Sequence, residues 1–213
     1  MTPPGASGPD TSGAGGPATG GPATGGPVTG PVPAGRDAVV YDRMRRRLLW
    51  SLPTGLYVLG SRSGEDRNLM TISWVTQVAT RPKLVAVSVE AGAVTRRLVE
   101  ESGRFAVTLL PRAERALVRR FVKPVESVEV DDADIGTMHG EAVVAAPSGV
   151  PVLRAAAGWL DCAVREQLAL GSHVVFVGEV SDCGFGYPGD PDAPDGPPEE
   201  LLRMEDTRMS YGG

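Results

Sequence analysis

The sequence has few of the residues that build metal sites or covalent frameworks. Of its 213 residues, two are cysteine and two are histidine. Two cysteines are too few for a disulfide framework or a four-cysteine metal site, and the histidines are not joined by a cysteine pair at ligand spacing, so no metal site is expected. Cys162 and Cys183 each lie in an apolar run, where a thiol behaves as a small hydrophobic group.

Positive charge and long apolar runs are also scarce. The formal net charge is -5, whereas proteins that bind nucleic acid or anionic membranes present basic surfaces, so neither partner is expected. No apolar run reaches the length of a membrane-spanning helix. The N-terminus also lacks the positively charged region followed by an apolar region that a secretory signal has, so the expected location is the cytoplasm.

Common catalytic motifs are missing as well. The sequence contains no serine nucleophile elbow, no Walker loop and no Rossmann glycine pattern. An enzyme of this kind would take its chemistry from a cofactor and supply orientation and electrostatics. Hydride transfer between stacked rings suits such a protein, because its first step needs no acid or base from the chain.

The first part of the chain is a low-complexity segment of Gly, Pro, Thr, Ala and Ser in which a five-residue unit repeats at 16–20 and 21–25. Such a segment cannot bury enough apolar surface to offset its ordering entropy. The composition predicts a disordered tail over residues 1–36 and one folded domain over 37–213.

The folded part is predicted to contain short strands and a few helices. Helical spacing of apolar residues from Val39 to Leu49 predicts an amphipathic helix, and further helical stretches are expected at 93–102 and 113–122. Because turns rather than regular crossover helices join the strands, the pattern favours an antiparallel barrel. The expected strands are 56–61, 68–78, 84–89, 105–110, 159–168 and 174–183, with a last one within 201–211, while 123–151 shows no clear pattern.

A candidate phosphate site lies where the turn 90–92 leads into a predicted helix. The first turn of that helix carries Thr95, Arg96 and Arg97, and a helix N-terminus offers free N–H groups and the positive end of the dipole. In the alternative interpretation, the two arginines pair with Glu100 and Glu101 one turn on. The sequence alone favours neither interpretation.

The predicted strand 68–78 has two unlike faces, because alternate side chains point to opposite sides. Its polar face is either solvated or available to a planar heterocycle. His173, at the start of another strand, has either a structural role, which includes pairing with Glu179 on the same face, or a role in a site. One face of 68–78 holds Asn68, Met70, Ile72 and Trp74, and the other holds Thr71, Ser73, Val75 and Gln77.

Taken in order, six segments of the chain resemble the flavin reductase family, which has the FMN-binding split-barrel fold. The resemblance covers Val39 to the C-terminus. It implies a mainly β Greek-key barrel with flanking helices, forming a homodimer that binds flavin near the subunit interface. The matching segments are Leu52–Val58, Asn68–Gln77, Pro82–Glu90, Thr95, Glu101–Val107 and Gly171–Val180.

The resemblance also implies site residues. His173 matches a histidine on the nicotinamide side and is the catalytic candidate, whereas Ala93 stands where many members carry a hydroxyl group, which would weaken the hold on phosphate and favour a dissociable flavin. Residues implied around the isoalloxazine and ribityl chain are Pro53, Thr54, Asn68, Met70, Thr71, Ser73 and Trp74. Those implied around the phosphate are Ser88, Val89, Glu90 and Thr95, with Arg96 or Arg97.

The implied activity is that of an NAD(P)H:flavin oxidoreductase. NADH or NADPH would pass hydride to FMN, with FAD or riboflavin as alternative flavins, and a partner monooxygenase or another acceptor would use the reduced flavin. Two other functions stay open: a non-catalytic FMN-binding module for electron transfer or assembly, and a scaffold whose flavin site has decayed.

Overall fold

The computed structural model describes residues 30–131, 135–196, 200–207 and 209. The predicted disordered tail falls mostly on residues 1–29, which lie outside the described residues. The chain divides into two units after Arg46. In the first unit, the Asp37 carboxylate accepts a hydrogen bond of 2.9 Å from the Val40 N–H, as expected at a helix start. This begins α1, Ala38–Trp50, which confirms the first predicted helix, although none of its side chains is buried.

The second unit consists mainly of antiparallel strands. No described helix is long and apolar enough to cross a membrane. Short 3-10 turns occur at Arg112–Glu114, Leu117–Arg119 and Met204–Asp206. The regular elements are β1 Tyr57–Ser63, β2 Asp66–Ile72, β3 Val75–Thr80, β4 Lys83–Glu90, α2 Val94–Ser102, β5 Arg104–Leu109, β6 Val128–Val130, β7 Gly136–Met138, β8 Glu141–Ala145, β9 Pro151–Leu153, β10 Gly158–Leu170 and β11 His173–Phe185.

The larger sheet must be rolled up, because consecutive strands lie at its two edges. Its order is β2-β1-β5-β10-β11-β4-β3, yet only Ser73 and Trp74 separate β2 from β3. In a flat sheet of this width, the edges would lie about 29 Å apart, whereas the link can span at most about 11 Å. The sheet is therefore rolled into a barrel with a seam between β2 and β3, which agrees with the predicted antiparallel barrel.

Apolar side chains fill the barrel interior. Phe105 and Phe176 are fully buried there, and Val99 of α2 joins the same cluster. A β-carbon on Gly178 would lie 2.5 Å from the Phe105 ring. The absence of a side chain at position 178 therefore allows Phe105 to pack across the barrel.

A second sheet, of order β6-β7-β8-β9, occupies the stretch that showed no clear pattern. Its Met138, Val143 and Leu153 pack in one cluster with Val58 and Leu69 from the barrel strands. Both faces of β1 and β2 are therefore covered. The solvated polar face considered for the strand 68–78 is not present in β2, because Thr71, and Ser73 directly after the strand, are both buried.

Three predicted elements are wrong. The predicted strand 68–78 is two strands, since the chain crosses the seam at Ser73–Trp74. The predicted helix 113–122 is replaced by 3-10 turns at Arg112–Glu114 and Leu117–Arg119. The Val118 carbonyl, which would accept the Val122 N–H in an α-helix, accepts the Thr71 hydroxyl instead. In place of a last strand within 201–211, the described residues contain isolated bridges at Leu201 and Arg203 and the 3-10 turn that follows.

Candidate functional site

The link across the seam brings several of the predicted residues together. The Trp74 carbonyl accepts a hydrogen bond of 3.0 Å from the Ser88 N–H of β4. The Trp74 indole and the His173 imidazole have centroids 4.8 Å apart, with planes inclined by 54°. His173 is also paired with Glu90 across β11 and β4. Four predicted residues from three separate segments thus meet beside the seam.

Trp74 and His173 present aromatic surface at this point. Trp74 is 40% exposed, although tryptophan is usually well covered. One His173 nitrogen, Nδ1, lies 2.9 Å from the Ser172 hydroxyl, and Nε2 has no hydrogen-bond partner among the described residues. The pair offers a face on which a planar ring can stack, and one ring nitrogen that can bond a ligand.

The N-terminus of α2 provides unpaired donors. Ala93 is the N-cap residue and has no side-chain oxygen to cap the helix. Within the described part of the chain, the N–H groups of Val94 and Thr95 have no hydrogen-bond partner. A β-carbon on Gly92 would meet no atom within 4 Å, so space is open beside the turn that precedes α2. Free donors and the helix dipole suit an anionic group such as a phosphate.

Asn68 and Thr95, both predicted to contact the ligand, are bonded to each other. Asn68 Nδ2 donates to Thr95 Oγ1 at 2.8 Å, and Asn68 Oδ1 accepts the Val125 N–H at 2.9 Å. Asn68 is 3% exposed and Thr95 is 0% exposed. The structure gives both side chains an internal role that ties α2 to β2. Either side chain could contact a ligand directly only if the Asn68–Thr95 hydrogen bond were replaced by a bond to the ligand.

Arg96 and Arg97 form the ion pairs that the sequence left as an alternative. Arg96 binds Glu100 through contacts of 3.0 and 2.6 Å. Arg97 donates to Asp66 at 2.9 Å and to Glu101 at 3.1 Å, and these hydrogen bonds, the one to Asp66 most, raise the Arg97 pKa. Exposed pairs of this kind add little stability, so the guanidinium groups can still exchange partners.

The other predicted residues lie at different depths around the seam. Pro53 and Thr54 precede β1, and because Tyr57 pairs with Ile72, they leave the sheet at the same end as the link. Ser73 and Val89 are buried, while Met70 is half-buried against the barrel core. Thr71 is buried with its hydroxyl donating to the Val118 carbonyl, so it faces away from the barrel interior.

A cavity of about 330 Å³ opens near the link and was not predicted. Val75 and Thr76, which follow Trp74 directly, line it together with Tyr57 and Leu160. Burial raises the pKa of the Tyr57 phenol, which therefore stays protonated and can donate a hydrogen bond. Val75 belongs to the predicted polar face of the strand 68–78, and only the rolling of the sheet brings it beside Tyr57 and Leu160.

These features coincide with a family match. The model of the flavin reductase like domain matches residues 49–197, which include Trp74, Ala93 and His173. The chain belongs to the flavin reductase-like family. The NADH-dependent flavin reductase StyB of Pseudomonas fluorescens is 30% identical over 62% of this chain and 71% of that protein. An NADH-dependent FAD reductase of Streptomyces globisporus is 31% identical over 65% of this chain and 74% of its own length.

Solved structures of flavin reductases share the fold. The NADH:FAD oxidoreductase of Streptomyces globisporus matches with a TM-score of 0.58 and 26% identity, over 75% of this chain and 89% of that one. The styrene monooxygenase flavin reductase of Pseudomonas putida matches with a TM-score of 0.55 and 27% identity, over 68% and 88%. The likeness confirms the split-barrel fold expected from the sequence.

Proposed function

We propose that this chain is an NADH-dependent flavin reductase that binds its flavin along the seam. The residues present suit a flavin nucleotide: an exposed indole lies beside an imidazole, and an uncapped helix start faces open space. The bound flavin would supply the acceptor for a hydride from the nicotinamide. The observation that carries the proposal is the pairing of Trp74 with His173 at the seam of a chain that belongs to this family.

The protein's part in the reaction is to bind and orient the two nucleotides. The N–H groups of Val94 and Thr95, with Arg96 beside them, would hold the flavin phosphate, and the Trp74 ring would hold a planar ring system. His173, steadied through Nδ1 by Ser172, would bond the nicotinamide through its free Nε2. Holding the reacting rings at close distance accounts for much of the rate enhancement such an enzyme needs.

A turnover assay tests this proposal. In air, where dioxygen reoxidises the reduced flavin, limiting FMN or FAD and excess NADH should let the purified protein oxidise many equivalents of NADH per molecule, and NADPH is the comparison donor. We expect His173→Ala to slow hydride transfer, measured by stopped flow, and to leave flavin affinity little changed. Equal losses in rate and affinity would assign His173 a structural role, and single-turnover behaviour at every flavin concentration would refute the reductase.

A non-catalytic role is the second candidate. An FMN-binding protein from Thermus thermophilus shares the fold with a TM-score of 0.52 and 26% identity, over 62% of this chain and 72% of that one. A module of this kind would bind FMN without sustaining NADH oxidation. The same assay separates the two, because a passive binder gives no turnover beyond its bound flavin. A preparation that takes up neither FMN nor FAD would instead indicate a decayed site.

The reduced flavin would serve a separate acceptor, such as a flavin-dependent monooxygenase. Similar chains are named as the flavin reductases of a styrene monooxygenase and of a two-component tryptophan halogenase. FMN and FAD both fit the open helix start, because the phosphate contacts expected there do not depend on an adenosine group. Relative affinities for the two flavins, measured by fluorescence quenching, would decide between them.

A homodimer is also part of the proposal. β10 pairs with β5 only as far as Ala163, so within the described residues its outer part has one free edge. Leu168 and Leu170 on this part are 59% and 54% exposed. Because free edges and exposed leucines are usually covered, we propose that a second copy covers this part of the strand, close to His173.

A further inference from the structure

His139 occupies an unusual position in the hairpin that joins β7 to β8. It forms the two-residue turn with Gly140, and their φ angles are +50° and +75°. Turns with two positive φ angles favour Asn, Asp and Gly, because a larger side chain is strained there. Among the residues that the structure describes, His139 is the one non-glycine residue with a positive φ. A histidine at such a position suggests that the ring has a task of its own.

The polar groups of His139 are committed to one neighbouring segment, 120–127. Its N–H donates to the Ser127 carbonyl at 3.0 Å, and its own carbonyl accepts from the Arg120 guanidinium at 3.5 Å. On the ring, Nδ1 lies 3.2 Å from the Arg120 carbonyl, and Nε2 lies 2.9 Å from the Glu126 N–H. The ring is also parallel to Phe121, with centroids 6.3 Å apart. His139 thus ties both ends of the segment together.

These partners define the protonation state of the ring. A carbonyl oxygen can only accept, so Nδ1 carries a hydrogen. A backbone N–H can only donate, so Nε2 must offer its lone pair. The contacts require a neutral imidazole with its hydrogen on Nδ1. A proton added at Nε2 would point at the Glu126 N–H and remove that bond. The charged residues that bond His139 or its partners are Arg120, whose guanidinium pairs with Glu141 at 2.8 Å, and Glu126, which contacts the ring through its backbone N–H.

The same segment supports the strand beside the proposed flavin site. The Phe121 carbonyl accepts the Thr71 N–H at 2.9 Å, and the Val125 N–H donates to Asn68 Oδ1 at 2.9 Å. Asn68 in turn bonds Thr95 at the start of α2. A continuous series of hydrogen-bonded and sequence-adjacent groups therefore runs from His139 through 120–127 to the helix start that would hold the phosphate.

We propose that His139 is a positioning residue that holds the 120–127 segment against β2 only while its ring is neutral. Loss of the ring, or its protonation, frees Glu126 and Val125, loosens Asn68, and weakens the hold of α2 on the flavin phosphate. Flavin affinity then falls at acid pH through a group that does not contact the flavin. This inference rests on the proposed function, since flavin affinity is its main readout.

The first test reads the tautomer directly. In ¹⁵N-labelled protein near pH 8, long-range ¹H–¹⁵N spectra should show one of the two histidines with a protonated Nδ1 and an unprotonated Nε2. The His139→Asn variant assigns that signal, because Asn suits the turn and lacks the ring. A His139 signal with the hydrogen on Nε2 overturns the proposal, whether or not the protein binds flavin.

The second test measures the flavin dissociation constant from pH 8 to pH 5.5 in the wild type, His139→Asn and His139→Gly. At pH 8, both variants should bind flavin about fivefold more weakly. In the wild type, affinity should fall toward acid pH, where imidazoles gain a proton, and in the variants this fall should be smaller. His173 is present in all three proteins, so the difference between profiles belongs to His139. Glycine relieves the strained turn, so His139→Gly can still be measured if His139→Asn misfolds.

Glu141→Gln is the matched control. Glu141 lies in the same hairpin and binds Arg120 in the same segment, but it does not touch the imidazole. This variant should keep the wild-type affinity at pH 8, and its loss of affinity toward acid pH should stay larger than in the His139 variants, because the imidazole is still present. If the wild type binds flavin and both His139 variants bind it with the same affinity, this inference alone is overturned. The same holds if Glu141→Gln loses as much flavin affinity as the His139 variants. A wild type that binds no flavin overturns the proposed function together with it.

Discussion

Replacing Thr95 by valine separates two possible roles of its hydroxyl group. Valine keeps the shape of the side chain but removes the acceptor that Asn68 Nδ2 uses at 2.8 Å. Both residues are buried, so the Asn68 N–H would be left without a partner and without water. Leaving one buried donor unsatisfied costs about 1–3 kcal/mol. For a domain of this size, a loss of about 2 kcal/mol lowers the melting temperature by about 4–8 °C.

Thermal and urea unfolding of the wild type, Thr95→Val and Thr95→Ser measure this cost, and a flavin titration of each folded protein completes the experiment. Thr95→Ser keeps the hydroxyl and should lose less stability than Thr95→Val. We expect Thr95→Val to bind flavin about threefold more weakly, because α2 shifts while the backbone donors remain. A double-mutant cycle with Asn68→Ala should show a coupling of about 1 kcal/mol.

One combination of results would refute this reasoning. If Thr95→Val unfolds like the wild type but binds flavin more than about tenfold more weakly, which corresponds to about 1.4 kcal/mol, the hydroxyl contacts the ligand directly. The Asn68 contact would then be exchanged when flavin binds. In that case, the phosphate contact inferred from the sequence is right, and the internal bond describes only the ligand-free protein.

Three further predictions concern the barrel and its edge. Gly178→Ala should destabilise the protein by about 1–3 kcal/mol in urea unfolding, because the new β-carbon would lie 2.5 Å from Phe105. Gly92→Ala, whose β-carbon would lie in open space, should not destabilise it. Equal effects of the two substitutions would contradict the packing described for Phe105. Burial, with a smaller effect of Asp161, raises the pKa of Cys162 from 9.0 to about 12. The folded state keeps that thiol protonated, so this part of the stability is complete below pH 9 and is lost as pH rises toward 12. Cys162→Ala should flatten the fall in unfolding free energy over that range, and an unchanged slope would count against the burial effect. Leu168→Ser combined with Leu170→Ser should shift the protein from dimer to monomer in analytical ultracentrifugation, with Val78→Ser, another exposed apolar position, as the control; a dimer that survives would place the interface elsewhere.

The fold was predictable where local pattern and final environment agree. The long strands β10 and β11 begin and end within two residues of the predicted limits at most positions, because both are continuous β-forming runs joined by a tight turn at Gly171. Helix α2 was predicted equally well, since Gly103 ends it with a φ of +67°. In these elements, the residues that determine the structure lie close together in the sequence.

Closure of the barrel produced features that no local pattern contains. The break at Ser73–Trp74 exists because the two edges of the sheet must meet, and β-propensity is continuous across it. The 113–122 stretch has helical spacing, but its Val118 carbonyl accepts a hydrogen bond from Thr71, 47 residues away in sequence. Strands β6, β7 and β9 have three residues each, which is too short to show alternation.

The features of the candidate site also fall into those that a local sequence pattern shows and those that only the fold brings together. The start of α2 and the Trp74 segment could be proposed from the sequence because each is a continuous stretch, and their roles in the site stay predictions. The Asn68–Thr95 bond joins residues 27 apart, and the role inferred for His139 depends on a turn and a segment that the sequence pattern did not resolve. Arg96 and Arg97 illustrate a different limit, since i,i+4 pairing and phosphate binding use the same side chains and only geometry separates them.

The composition of the α2 start bears on how tightly flavin is held. Ala93 offers no hydroxyl, Arg96 and Arg97 already have carboxylate partners, and Thr95 is bonded internally. In the proposed site, phosphate binding would depend mainly on two backbone N–H groups, and each side chain would have to give up its present bond before it could contribute. A site of this kind gains less free energy from phosphate than one with free hydroxyl and guanidinium donors. Weak retention of flavin suits a reductase that must release its product to another protein.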